Sequence, residues 1–254
     1  MAHDEEVAVL AAAERLAHSA ADIIGPPLRS AILHGSVATG HFVPGSSDID
    51  LLLITDNRLV DAEIDALETV VRRFDLGEAT GVDLHVVTTG VACAPTRAPV
   101  LELHIGRYDR SSVGIEIERR TQAPDLPAEL SMARADGYAL IGSGPGEVIA
   151  PIPPRWLRER GRHWLTTWQS LTDDAEDAAF MVLTACRIWR FGIEGVHCAK
   201  TQAAEWALER NPSLTAVRQA MRQYGAEPAA PPDEDGVAQV LDTVLRETAD
   251  LPND

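Results

Sequence analysis

The run Ala150–Pro154, APIPP, splits the chain into two stretches whose hydrophobic patterns do not suit a single layer of structure. Proline lacks an amide to donate and disfavours helix in the residue before it, so regular structure stops here and a domain boundary is expected. On the N-terminal side helical and strand periods alternate. They give a helix to about Ile24, a strand Ala31–His34, a glycine-bearing loop, a strand Ile49–Ile54, a helix across Leu59–Phe74 and a strand Val82–Val87. Strands at Val100–Ile105 and Val113–Ile117, a helix Ala128–Asp136 and a short strand Tyr138–Ile141 are expected to follow. Beyond the proline run strand patterning vanishes. Trp156–Ser170, Ala175–Phe191, Ala199–Glu209, Leu214–Tyr224 and Gly236–Ala249 all have helical spacing, with the Pro- and acid-rich Ala226–Asp235 as a surface connection. Residues 1–154 therefore read as an α/β domain and residues 155–254 as a helical bundle, and 254 residues suffice for two cores.

Charge narrows the partners. With 22 basic against 39 acidic residues the formal net charge is -17, a surface that repels phosphate backbones unless its basic groups cluster, and no cluster is visible. No nucleic-acid acceptor is expected, whereas a polycation would be drawn to an acidic cleft. No apolar run approaches the roughly 18–20 residues that cross a bilayer. The opening segment has acids where a secretory signal carries positive charge, so a cytoplasmic protein with no membrane partner is expected. Cys93, Cys186 and Cys198 have no CxxC spacing and imply neither a disulfide framework nor a zinc site.

The chemistry gathers around His34-Gly35-Ser36 and, after a stretch bearing glycines and a proline, Ser47-Asp48-Ile49-Asp50. Asp48 and Asp50 are two residues apart at the start of an apolar strand, so their carboxylates project from one face. Two like charges side by side are costly unless a cation lies between them, and hard oxygen donors suit Mg²⁺. Gly35 lets backbone approach a triphosphate closely, and Ser36 offers a hydroxyl beside it. Singly these features have ordinary uses: an S-x-D pair can merely cap a turn, and Gly-Ser is common in loops. Their combination after a buried strand points to a phosphate seat next to a metal seat, which is most of what phosphoryl-type transfer requires. The eight histidines show no metal-ligand spacing, and GSGPG at Gly142–Gly146 reads as a turn because it lacks the Lys-Ser/Thr of a P-loop. Trp164, Trp168, Trp189 and Trp206 read as packing residues.

Gly-Ser followed by two acids on one strand and a third acid, Asp83 in GVDLHVV, resembles the motif of polymerase-β-like nucleotidyltransferases. Leu183–Arg210, LTACRIWRFGIEGVHCAKTQAAEWALER, resembles the helical domain of the aminoglycoside (3″)(9) adenylyltransferase family. The resemblance implies an α+β fold, with a polymerase-β-like nucleotidyltransferase domain followed by an α-helical bundle that contributes to ATP and aminoglycoside binding. It also implies transfer of AMP from the co-substrate ATP, with Mg²⁺, to the streptomycin 3″-hydroxyl, the spectinomycin 9-hydroxyl or both, giving antibiotic resistance. By position Asp48, Asp50 and Asp83 match metal ligands and Asp83 the catalytic base, while Gly35, Ser36, Arg187 and Lys200 match nucleotide-binding residues. Tyr108 and Asp177 match acceptor-binding positions. The family usually carries glutamate where Asp83 stands, and tryptophan where Tyr108 and Asp174 stand. The expected arrangement places ATP and the acceptor in one cleft between the domains, beside the acidic start of the helix Ala175–Phe191, and a monomer is expected.

Taken on their own, Asp83 can cap its strand, Arg187 and Lys200 can serve surface ion pairs, and Asp173, Asp174, Glu176 and Asp177 can form a solvated helix start. Two other functions stay open at this level: a nucleotidyltransferase that modifies a protein or another small-molecule hydroxyl, and a non-catalytic module that binds nucleotide or drug.

Overall fold

The structure, a computed structural model, describes residues 2–108, 114–225 and 229–249. It divides into two compact units, Met1–Ile152 and Pro153–Asp254.

The first unit opens with helix α1 (Ala2–Ile24), then strand β1 (Leu28–His34), the single turn α2 (Gly35–Ala38), β2 (Ile49–Thr55), α3 (Asp61–Arg73) and β3 (Gly81–Thr88). It continues through α4 (Thr89–Cys93), β4 (Leu103–Tyr108), β5 (Ile115–Arg119), α5 (Leu126–Asp136), β6 (Tyr138–Gly142) and α6 (Pro145–Val148). The six strands form one sheet in the order β5-β4-β3-β2-β1-β6, in which β2 and β3 are parallel and all other pairs antiparallel.

Side chains alternate across a sheet, and here the alternation separates core from chemistry. Ala31, Leu33, Leu51, Leu53, Val82, Leu84, Val86, Leu103 and Ile105 point to one face, where they pack with α1 residues such as Ala13 and Leu16 and with Ile64, Leu67 and Val71 of α3. The intervening positions His34, Asp50, Asp83, His85, His104 and Gly106 therefore share the opposite face, whose β1 side is packed by α5.

The second unit comprises α7 (Pro154–Trp168), α8 (Ala178–Glu194), α9 (Lys200–Arg210), α10 (Thr215–Tyr224) and α11 (Glu234–Glu247). Helix α8 packs against each of the other four. Its buried set, including Ala178, Met181, Leu183, Ala185, Cys186 and Trp189, covers a little over half of its circumference, a wide face that suits the helix at the centre of a bundle. Trp168 and Trp189 are buried, whereas Trp164 and Trp206 are half-buried at the edge of that core. Among the described residues no helix is long and apolar enough to cross a membrane.

Several expectations shift. The fourth strand runs Leu103–Tyr108 instead of Val100–Ile105, because Val100 makes only an isolated bridge to Gln122 and Glu102 is drawn into contacts with Arg58 and Arg120. The expected start of the next strand at Val113 lies outside the described residues, and the strand that is described begins at Ile115. The loop after β1 holds one helical turn, as does Pro145–Val148 within and beyond the glycine-rich run. Helix α8 starts at Ala178, three residues later than the spacing suggests, because the Asp174 carboxylate accepts from the Glu176 and Asp177 amides and ties that stretch into a turn. Residues 226–228 of the expected connection lie outside the described residues, and Asp233 at its end caps α11 by accepting from the Gly236 amide at 2.8 Å.

Candidate active site

The connection between β1 and β2 delivers Gly35, Ser36 and Asp48, and the start of β2 delivers Asp50, to one end of the sheet. Gly35 has φ +67, a conformation that side chains resist, and a Cβ built on it would lie 1.8 Å from Asp50 Oδ2. The Asp50 carboxylate thus occupies the space a side chain at 35 would need. Ser36 presents a buried hydroxyl with no hydrogen-bond partner. Buried polar groups are nearly always satisfied, so an orphaned hydroxyl marks a place for a ligand atom. The returning chain is pinned by Ser47, whose hydroxyl accepts from the Val43 amide at 3.0 Å and whose carbonyl accepts from the Thr80 amide at 2.8 Å. Ser47 therefore supports the turn, and Asp48 and Asp50 carry the charge.

Asp50 and Asp83 are direct neighbours in the parallel β2–β3 register, and His34 stands opposite Asp50 on β1. Adjacent strands lie about 4.8 Å apart, so two carboxylates meet on one face. Tyr108, at the end of β4, lies against them: a Cβ on Gly81 or on Gly106 would each come within 2.8 Å of its ring, so these two glycines form the seat for the aromatic face. Burial, then the negative charges of Asp83, Asp48, Asp50 and Glu129, raise the Tyr108 hydroxyl well above the usual phenol range. Tyr108 remains a neutral donor beside the acids.

Two histidines that sequence reasoning left out complete this face. His104 Nε2 donates to Asp83 Oδ1 at 2.9 Å, and His85 Nδ1 lies 3.4 Å from the same oxygen. The two rings stack, with centroids 4.5 Å apart and planes at 23°. The signal for His85 was its spacing of two from Asp83, which fixes the face; His104 required knowledge of the cross-strand register. Burial by itself raises the Asp83 carboxyl, but the attraction of His85, the hydrogen bond from His104 and the potentials of His104 and His34 outweigh it and hold the group at about 2. Asp83 is an anion at neutral pH. Burial pushes the His85 imidazole down, whereas His104 is raised because the hydrogen bond and charge of Asp83 overcome its burial.

Carboxylate oxygens from neighbouring strands next to an unpartnered buried hydroxyl are the donors expected of Mg²⁺ that keeps some water and bridges to phosphate oxygens. The donor set fits that ion. The remaining sequence-derived residues belong to the second unit. Lys200, the chain's single lysine, opens α9 with its Nζ 5.6 Å from the Phe180 ring centre and 5.4 Å from that of Tyr224. Arg187 lies on α8, and its charge, after burial, contributes to lowering His197 to about 4. Asp177 immediately precedes α8, its carboxyl raised by burial and then by Asp174.

Residues 22–111 match a family described as the nucleotidyltransferase domain, and residues 147–247 match the C-terminal domain of aminoglycoside adenylyltransferase. Aminoglycoside (3″)(9) adenylyltransferases from Klebsiella pneumoniae and Escherichia coli are each 34% identical over 195 residues, covering 74% of this chain and 74% and 73% of theirs. A spectinomycin adenyltransferase from Enterococcus faecialis, solved with ATP and spectinomycin, shares the fold with a TM-score of 0.73 at 17% identity, over 92% of this chain and 97% of that one.

Proposed function

The chain belongs to the aminoglycoside adenylyltransferase family, and on that premise we propose that it transfers AMP from ATP to the streptomycin 3″-hydroxyl, the spectinomycin 9-hydroxyl or both. The observation that carries the assignment of residues is the pairing of Asp50 with Asp83 across β2 and β3, beside the buried hydroxyl of Ser36 that has no partner.

In this reading Asp48, Asp50 and Asp83 would hold Mg²⁺, which when bound neutralises phosphate charge as it builds up. Ser36 donates its hydroxyl hydrogen to a phosphate oxygen, and Gly35 keeps the Asp50 carboxylate in place by having no side chain of its own. Tyr108 packs its ring on the acceptor and donates from its hydroxyl. Asp83 accepts the hydrogen bond of the acceptor hydroxyl and takes its proton as that oxygen bonds to the α-phosphorus. The bond from the α-phosphorus to the bridging oxygen breaks, and pyrophosphate leaves with the bonding pair. From the second unit, Lys200 and Arg187 meet nucleotide phosphates, and Asp177 meets a cationic group of the acceptor. That Lys200 is the one lysine in a chain otherwise served by arginine supports a role for its compact ammonium.

Purified protein incubated with labelled ATP, Mg²⁺ and each drug in turn is expected to yield an AMP–drug adduct and pyrophosphate. Absence of an adduct with both drugs would overturn the choice of acceptor. Asp48→Asn and Asp50→Asn are expected to lower kcat by at least about a hundredfold, since each removes a charge from the metal seat. Retained turnover in both would refute the metal assignment.

A further inference from the structure

We propose that His104 is a positioning residue that fixes the Asp83 carboxylate for proton removal, with His85 as its stacking support; this rests on the reading of Asp83 as the group that meets the acceptor hydroxyl. Both imidazoles meet the same oxygen: His104 Nε2 donates to Oδ1 at 2.9 Å and His85 Nδ1 lies 3.4 Å from it. Oδ2 is thereby left as the oxygen for metal and acceptor. Since a carboxylate can only accept, the short contact requires the proton to be on His104 Nε2.

The arrangement is fixed from several directions. His85 and His104 are partners in the antiparallel β3–β4 register, which places their rings in the observed stack. On the far side of His104, Nδ1 lies 3.6 Å from Glu118 Oε2 on β5. Both side chains are only 12% exposed, and the Nδ1 atom of each is buried without a hydrogen-bond partner. Burying two imidazoles with unsatisfied nitrogens costs stability, and an apolar pair would fill the same sheet face without that cost. What the histidines add is a hydrogen bond from His104, with His85 stacked behind it, that favours one orientation of the Asp83 carboxylate.

The ligating atoms of Asp83, His85 and His104 lie within 4.8 Å of one another, a spacing that a bound ion also requires. The hydrogen bond speaks against one: a nitrogen that donates to a carboxylate carries its proton and offers no lone pair to an ion, and His104 Nε2 donates to Oδ1 at 2.9 Å. The group is built as a clamp on one oxygen.

The test compares His104→Leu with His104→Gln, whose amide can still donate to Oδ1, in steady-state pyrophosphate release with ATP and spectinomycin or streptomycin. His104→Leu is expected to lose about tenfold to a hundredfold in kcat, as supporting-residue substitutions do, with the KM for ATP within about twofold. His104→Gln should recover most of the loss. A structural role alone would lower the melting midpoint of both variants without dividing kcat from KM or being relieved by glutamine. If the leucine variant does not fold, His104→Met, flexible and unable to donate, takes its place in the comparison. Wild-type kcat in the leucine or methionine variant, or no recovery with glutamine in a folded protein, overturns the proposal. So would tight Zn²⁺ uptake by the protein without ATP that His85→Gln and His104→Gln both abolish. Asp83→Asn, run alongside, separates the two layers: if it keeps turnover the reading of Asp83 falls, and if it is inactive while His104→Leu equals wild type only the positioning claim falls.

Discussion

Gly35 shows how one missing side chain can organise a site. Two requirements coincide there: a backbone at φ +67, and a carboxylate seated where a Cβ would otherwise lie, 1.8 Å from Asp50 Oδ2. Gly35→Ala must therefore strain the turn and displace Asp50 together. It is expected to abolish adenylyl transfer while lowering stability by about 1–3 kcal/mol, the range for strained backbone positions, measured by pyrophosphate release and by urea unfolding of the same preparation. Activity within tenfold of wild type would mean that Asp50 does not need this seat. The sequence marked Gly35 as a place where backbone could approach a triphosphate, but not that its emptiness serves Asp50, because that contact joins β2 to the turn after β1. His85 was readable in part, as it alternates onto the face of Asp83. His104 was not, since the β3–β4 register that brings it opposite His85 is a tertiary fact.

Elements were most legible where a period is long and unmixed. The apolar run Ile49–Ile54 and the alternation around Asp83 gave β2 and β3 to within a residue, and the spacing of apolar residues gave all five helices of the second unit. Errors arose where a side chain diverts the backbone: Glu102, held by Arg58 and Arg120, postpones β4, and the Asp174 carboxylate postpones α8. Helix α8 matters beyond its boundary, because its buried residues form the middle of the second unit's core. Trp189, 2% exposed and edge-on to Trp206 with ring centroids 5.2 Å apart, is the largest of them. Trp189→Ala is expected to cost about 3–5 kcal/mol, as aromatic truncations in well-packed cores do, read from urea unfolding followed by helical circular dichroism. Trp189→Phe should cost much less, since it retains most of the volume and removes an indole N–H that has no partner. A loss below about 0.5 kcal/mol for the alanine variant would be an ordinary surface value, and α8 would not be the centre of that unit's packing.

At the scale of the whole molecule the dominant quantity is the net charge of -17, which acts in opposite directions on the two substrates. Streptomycin and spectinomycin carry cationic nitrogens and are attracted by an acidic surface, whereas ATP is an anion that the same surface repels. Salt weakens both effects: the screening length falls from about 30 Å at 0.01 M to about 3 Å at 1 M. Raising KCl from about 0.02 M to about 0.5 M at constant Mg²⁺ is therefore expected to lower kcat/KM for the drug severalfold while the value for ATP rises or holds. A neutral osmolyte at matched osmolarity should change neither, which separates screening from hydration. If the two substrates responded to salt in the same direction, the acidic surface would not be steering the acceptor, and contacts made after docking would have to account for the choice of a cationic drug.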